Sequence, residues 1–256
     1  MKFDLSKVKI SYVDRKEGLT LPQETSVELA EFIGILAGDG HVGHHTDYHH
    51  SVEISGHKID DIEYYQYVKN MFVKLFNLNI RLIEVKNQLT IKLKRQSVGI
   101  LSFLELIGYK KIHCIIKVPD WIWLDEKYSK AFIKGLFDTD GSLPLKKNRG
   151  KFNYYPVMTL MLKDKILVKT VSDWLKEKEV PLYFGETTSF DKRNGNIYER
   201  ATIQISGFKN VGEYVDLIGI SNPKNIKKWK MCLGGFEPPI TRASVEHFPG
   251  LSYRHM

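Results

Sequence analysis

Two aspartates stand in matched settings. Asp39 ends the run FIGILAGDG (Phe32 to Gly40) and Asp140 ends the run IKGLFDTDG (Ile133 to Gly141), each just before the closing glycine. The runs agree in kind place by place. Apolar residues stand at Ile35 and Leu136 and at Leu36 and Phe137; small ones stand at Gly34 and Gly135 and at Gly38 and Thr139. The two copies lie about 100 residues apart, which reads as an internal repeat. Two carboxylates brought to one point repel, so they need a shared proton or a cation. Hard oxygen donors of this kind suit a divalent metal ion.

Helices must do the positioning. Val27 to Ala37 has helical apolar spacing, and so does Tyr128 to Thr139. Glycine inside a helix costs about 0.5–1 kcal/mol relative to alanine. Small residues four apart on one face repay that cost when two helix backbones approach closely. The reading is therefore a pair of helices packed on each other; if they run in parallel, Asp39 and Asp140 meet at one point. Both acids then lie at the negative ends of the helix dipoles, where a carboxylate is disfavoured. Gly40 and Gly141 are expected to be left-handed helix ends.

The remaining chain repeats one order. Residues 1–26 form an arm whose alternating run Val8–Val13 suggests a packing strand; Ser26 is a helix N-cap. His41–Lys58 reads as a hairpin, Lys58–Asn77 as an amphipathic helix with Ile62, Tyr65 and Phe72 inward, and Ile80–Val85 with Gln88–Lys94 as a second hairpin. A helix over Ser97–Ile107 closes this half at Gly108, and Pro119 opens the next. After the second motif helix come strands Ser142–Lys147 and Tyr154–Leu162, then a helix Lys163–Lys178 with Ile166 inward. Strands Leu182–Phe190 and Ile197–Ser206 and a helix Lys209–Ile218 complete it. Each half reads αββαββα, and the whole is α+β. The boundaries are 1–26 for the arm, 27–118 and 119–232 for the halves, and 233–256 for a tail without period, expected to be disordered.

Composition narrows the partners. The chain has 256 residues and a net charge of +8, which suggests a polyanion. Its two cysteines make neither a disulfide framework nor a metal pair, as in a reducing compartment. No apolar run reaches the roughly 18 residues of a membrane span, so the expectation is a soluble intracellular protein with no membrane partner. Aligning Gly141 with the glycine of a calcium loop puts Leu136 first and Lys147 last, which excludes that motif. A phosphate loop is excluded for want of Gly-Lys-Ser/Thr. The histidines between His41 and His57 match no zinc spacing and read as a polar strand face near phosphates. Arg81, Lys92, Lys94, Lys146, Lys147, Arg149, Lys151, Lys192 and Arg193 fall on strands or turns of the polar sheet faces. A β-surface of this kind can enter the major groove of duplex DNA.

The chain resembles the LAGLIDADG homing endonucleases, in the form with both motifs on one polypeptide. The nine-residue motif matches Phe32–Gly40 and Ile133–Gly141. Its sixth place is Ala37 in one copy and Asp138 in the other; its eighth place, the family's metal-binding acid, is Asp39 and Asp140. The likeness takes in VPDWI (Val118–Ile122) and LIGISNPKNIKKW (Leu217–Trp229) and covers about residues 20 to 231. It implies two pseudo-symmetric halves forming a saddle of antiparallel sheets, with the motif helices at the centre, on double-stranded DNA. It also implies metal-dependent hydrolysis of one phosphodiester on each strand. Asp39 and Asp140 would hold Mg2+, or Mn2+ in its place, with the backbone carbonyls of Gly38 and Thr139 as further ligands.

A basic residue in each half would assist, from Lys110 or Lys111 and from Lys227 or Lys228; Lys111 and Lys228 are chosen, with Lys92 and Gln204 as alternatives. Gln204 also belongs to the DNA-facing set. The unlike halves imply a long, imperfectly palindromic target and a monomer. Intein splicing blocks are missing, so a free-standing, intron-encoded enzyme is the favoured setting. The rivals are a maturase that binds intron RNA and a DNA-binding protein that does not cut.

Overall fold

A capping box governs the amino-terminal arm. Ser11 accepts a hydrogen bond from the Asp14 amide and Asp14 accepts one from the Ser11 amide, starting α1 (Tyr12–Lys16). These local bonds override the alternation of Val8–Val13, so the expected strand does not form there. The computed structural model describes residues 1–44, 50–112, 114–147, 154–191 and 195–235. The arm packs on the first half: Asp14 accepts from the Gly99 amide at 2.9 Å, and Phe3 meets Phe103 edge-on.

The first half runs α2 (Val27–Ala37), β1 (Gly40–His44), β2 (His50–His57), α3 (Ile62–Phe76), β3 (Arg81–Glu84), β4 (Thr90–Gln96) and α4 (Val98–Leu106). Ser26 caps α2 through the Leu29 amide. Helix α3 starts four residues later than its apolar spacing suggests. The Asp61 carboxylate accepts from the His57 amide and folds Lys58–Asp61 into a turn. A short hairpin that periodicity did not reveal follows, β5 (Lys110–Ile112) and β6 (Ile115–Lys117).

The second half runs α5 (Glu126–Asp140), β7 (Gly141–Ser142), β8 (Leu145–Lys147), β9 (Tyr154–Leu162), α6 (Lys165–Glu177), β10 (Tyr183–Asp191), β11 (Asn196–Ser206) and α7 (Phe208–Ile218). A further helix, α8 (Pro223–Gly235), follows. Asn222 accepts from the Lys224 amide ahead of a proline at the first helical position, a helix start that apolar periodicity alone does not reveal. Residues Leu233–Gly235, assigned in sequence to a disordered tail, are the last turn of α8; the rest of that tail lies outside the described residues. Ile62 and Ile166, expected inward, are exposed, each in the first turn of its helix.

The sheets share one topology. Their strand orders are β1-β2-β4-β3 and β7-β9-β11-β10, antiparallel throughout, with β8 also pairing with β9. On their helix-covered faces Val52, Ile54, Ile91 and Leu93 in one sheet, and Leu160, Ala201 and Ile203 in the other, are buried. Gly40 pairs with Ile54 and Gly141 with Leu160, each one residue past its motif aspartate. The fold is α+β, two αββαββα halves around the packed pair α2 and α5.

Candidate active site at the helix junction

The helix pair exists because its facing residues lack side chains. A Cβ on Gly34 would lie 2.1 Å from the Phe132 carbonyl oxygen, and one on Gly135 would lie 2.3 Å from that of Glu31. Backbone therefore meets backbone, as the spacing of small residues required. At the next turn a Cβ on Gly38 would lie 2.0 Å from Thr139 Oγ1 and 3.3 Å from Asp140 Oδ2. The carboxyl ends of α2 and α5 thus lie together, with Asp39 and Asp140 at one junction.

The glycines after the aspartates have a different cause from the one expected. Gly141 is extended, at φ −77°, and Gly40 is not left-handed either. A Cβ at Gly40 would stand 2.5 Å from Leu36 Cα, and one at Gly141 would stand 2.2 Å from the Phe137 carbonyl oxygen. Glycine is needed because the first strand of each half turns back against its own motif helix.

The junction is electrostatically strained. Burial pushes the pKa of Asp39 up to about 7, and Asp140 and Asp61 push it the same way. Asp140 is exposed to solvent, yet the atoms packed about its carboxyl raise its pKa too, with Lys111 opposing that shift. Tyr65 donates a hydrogen bond from its hydroxyl to Asp39 Oδ2 at 3.3 Å. Lys111 brings the compensating charge. Its Nζ donates to the carbonyls of Ala37 at 2.8 Å and Gly38 at 2.6 Å, with Leu36 at 3.3 Å. These are orphan carbonyls at a helix end, where a cation is favoured. Burial draws the Lys111 pKa down, and Asp140 and Asp39 oppose that shift.

The donor set suits a hard divalent cation. Two crowded carboxylates and helix-end carbonyls offer oxygen alone, and an ammonium already sits on those carbonyls. Among the described residues no three His, Cys, Asp or Glu side chains converge. A divalent cation that keeps several waters and takes one or two carboxylates fits such a site. The expected carbonyl ligands fare differently. That of Gly38 is held by Lys111; Thr139 donates from its hydroxyl to the carbonyls of Gly135 and Leu136, bonds in which its own backbone carbonyl, the expected ligand, takes no part. Asp138, the acid at the sixth motif place, is buried elsewhere. It accepts from the amides of Ser221 and Asn222 at 2.8 and 3.1 Å and so anchors the segment entering α8.

Lys111 thus joins the aspartates, delivered by the unforeseen β5–β6 hairpin. Lys228 does not: it is half-buried on α8, with no bond to either aspartate among the described residues. The α8 lysine directed toward the centre is Lys224, one turn earlier, whose Nζ binds Asp61 at 2.8 Å. Tyr65 read in sequence only as core. Its place beside Asp39 depends on Gly56, where a Cβ would strike its ring at 2.5 Å. Arg81, Lys92 and Lys94 lie on the sheet face away from the helices, and both lysines pair with Glu53. Lys146 and Lys147 are exposed on β8, and Gln204 stands on β11 with its amide on Ser206. Arg149, Lys151, Lys192 and Arg193 lie outside the described residues. Cys114 and Cys232 are free thiols, and no described helix is long and apolar enough to cross a membrane.

No protein-family model matches the sequence. No curated protein is detectably similar to it. Solved structures are. The homing endonuclease I-WcaI bound to its DNA recognition sequence is 17% identical with a TM-score of 0.52, covering 85% of this chain and 90% of its own. I-DmoI in complex with DNA and Ca is 16% identical with a TM-score of 0.50, covering 80% and 97%. Full-length DUF199/WhiA from Thermatoga maritima is 14% identical with a TM-score of 0.52, covering 89% and 67%. With both motif helices packed at the centre of two like-ordered halves, the chain has the fold of the LAGLIDADG homing endonucleases in its two-motif, single-chain form.

Proposed function

We propose that this protein is a site-specific, divalent-metal-dependent endonuclease that cuts both strands of duplex DNA, acting as a monomer. The observation that carries this is the junction where Asp39 and Asp140, remote in sequence, share one crowded recess. Residues 27–118 and 119–232 would each take one half of a long target, the free sheet faces lying in the major groove. Likeness to I-WcaI with its recognition sequence, and to I-DmoI with DNA and Ca or with nicked target DNA and Mn, supports a DNA substrate and a divalent cation.

In this reading Asp39 and Asp140 hold the cation, which when bound supplies an activated water and charge stabilisation at the leaving oxygen. Tyr65 orients the Asp39 carboxylate. Lys111 fixes the end of α2 and places a positive charge beside the scissile phosphate. The lysine chosen in the second half, Lys228, gains no support from its position; Lys224, neutralised by Asp61, is the nearer group.

The test is cleavage of a plasmid library carrying randomised inserts, with Mg2+. Linear product cut on both strands is expected. Asp140→Asn should abolish cutting while DNA binding, read by anisotropy, survives. Cutting that persists in the Asp39→Asn, Asp140→Asn double variant would remove the proposed site. A second reading, a DNA-binding protein that does not cut, draws on the fold shared with DUF199/WhiA, which is not named as an endonuclease. Specific binding with no product under any divalent cation would favour it.

A further inference from the structure

The free faces of the two sheets can be compared position by position, because their registers coincide. In the first half Gly40 pairs with Ile54, Ile54 with Leu93 and Leu93 with Leu82. In the second half Gly141 pairs with Leu160, Leu160 with Ile203 and Ile203 with Phe184. These two rows start one residue past the paired aspartates, so they are equivalent about the centre of the molecule. The neighbouring rows on the opposite, open faces are equivalent too.

Those rows differ in chemistry. The first-half row crosses the sheet as His41, Glu53, Lys94 and Arg81. Its second-half counterpart is Ser142, Thr159, Gln204 and Tyr183. The next row repeats the contrast: Ser55, Lys92 and Ile83 against Met161, Thr202 and Gly185. Every Lys, Arg and Glu of these rows lies in the first half. Lys92 and Lys94 share Glu53, at 3.4 and 2.5 Å, and Arg81 is exposed. The second-half rows are themselves uncharged and present exposed Met161 and Tyr183 beside the Gln204 amide; the next row out on this face brings Arg200, whose guanidinium reaches Met161 Sδ at 3.8 Å.

Base edges in the major groove distinguish these sets. Arg and Lys donate to guanine O6 and N7; Glu53, buried and holding both lysines, positions them rather than reading a base. A glutamine amide matches adenine N6 and N7, while apolar groups and threonine methyls fit the thymine methyl. We propose that the DNA target is compositionally lopsided: at equal distances from its centre, G·C pairs lie under the first half and A·T pairs under the second. This rests on the reading that both sheets enter major grooves; it does not require cutting.

Selection from a randomised duplex library, with the full chain and no divalent cation, tests it. Enriched duplexes should carry G·C pairs on one side and A·T pairs at the mirror positions. Arg81→Tyr with Lys94→Gln converts the first-half row toward the second. It should lower the G·C preference on that side about fivefold or more, the lower end of one bidentate contact, and leave the other side unchanged. Tyr183→Arg with Gln204→Lys should bring G preference to the second side. All four positions are on open sheet faces, and an unchanged thermal midpoint verifies folding. Mirror-symmetric composition would overturn the proposal. So would a first-half variant that weakens every sequence equally, the mark of phosphate contact alone. If no duplex is enriched, the DNA-binding reading falls and takes this inference with it. Enrichment as described, without cleavage in Mg2+, upholds this inference and removes only the nuclease.

Discussion

At the junction, burial and the neighbouring Asp140 and Asp61 hold a proton on Asp39 up to about pH 7. In the unfolded chain the same carboxyl releases its proton near pH 4. Between these values the folded state binds more protons than the unfolded one, so stability falls as pH rises. Buried Asp138, also raised to about 7, adds to the same slope. Without divalent cations the thermal unfolding midpoint should therefore decline from about pH 5 to about pH 8. Millimolar Mg2+ should raise the midpoint at the upper end, where the aspartates are ionised, and have little effect at the lower end. In Asp39→Asn the Mg2+ response should vanish and part of the slope should remain, through Asp138. A wild-type midpoint indifferent to Mg2+ at the upper pH would argue against the metal site.

The two motif helices form a more exacting element than their sequence suggests. An alanine normally favours a helix over glycine by about 1 kcal/mol. At Gly135 that gain is overwhelmed, because the new Cβ would lie 2.3 Å from a carbonyl oxygen of α2, and backbone cannot swing aside. Gly135→Ala should lower stability by about 1–3 kcal/mol or more, measured by urea unfolding. Gly212 in α7 supplies the contrast: a Cβ there meets only Trp229 Cζ2, at 3.9 Å. Gly212→Ala should stabilise the protein by about 0.5–1 kcal/mol. Equal effects at the two sites would mean that helix propensity, not close approach, governs the pair.

As a whole the molecule combines a net charge of +8 with two open sheet faces on either side of one acidic junction. Binding to duplex DNA should weaken steeply with salt, through release of condensed counterions. Lys146 and Lys147, exposed on β8, lie off the main path of the second sheet and suit phosphate contacts rather than base contacts. Lys147→Ala should weaken binding to all duplexes alike and reduce the slope of log K against log salt by about 1. An unchanged slope would place that lysine away from the DNA.

Much of this architecture was legible in the sequence. The αββαββα order follows from local alternation and helical spacing, and the helix pair from small residues set four apart. The pairing of Asp39 with Asp140 follows from the repeat once the two helices run in parallel, which their backbone contacts decide. Such features belong to short stretches of chain, where periodicity is a direct imprint of which side is buried. Other features depended on residues distant in sequence coming together. Lys111 turns onto the carbonyls of α2, Tyr65 onto Asp39 and Lys224 onto Asp61 across separations that no local pattern encodes. The need for glycine at positions 40 and 141 arises from a strand folding back on its helix. The unlike rows of the two sheets appear only once strand register is known, because register decides which residues stand side by side.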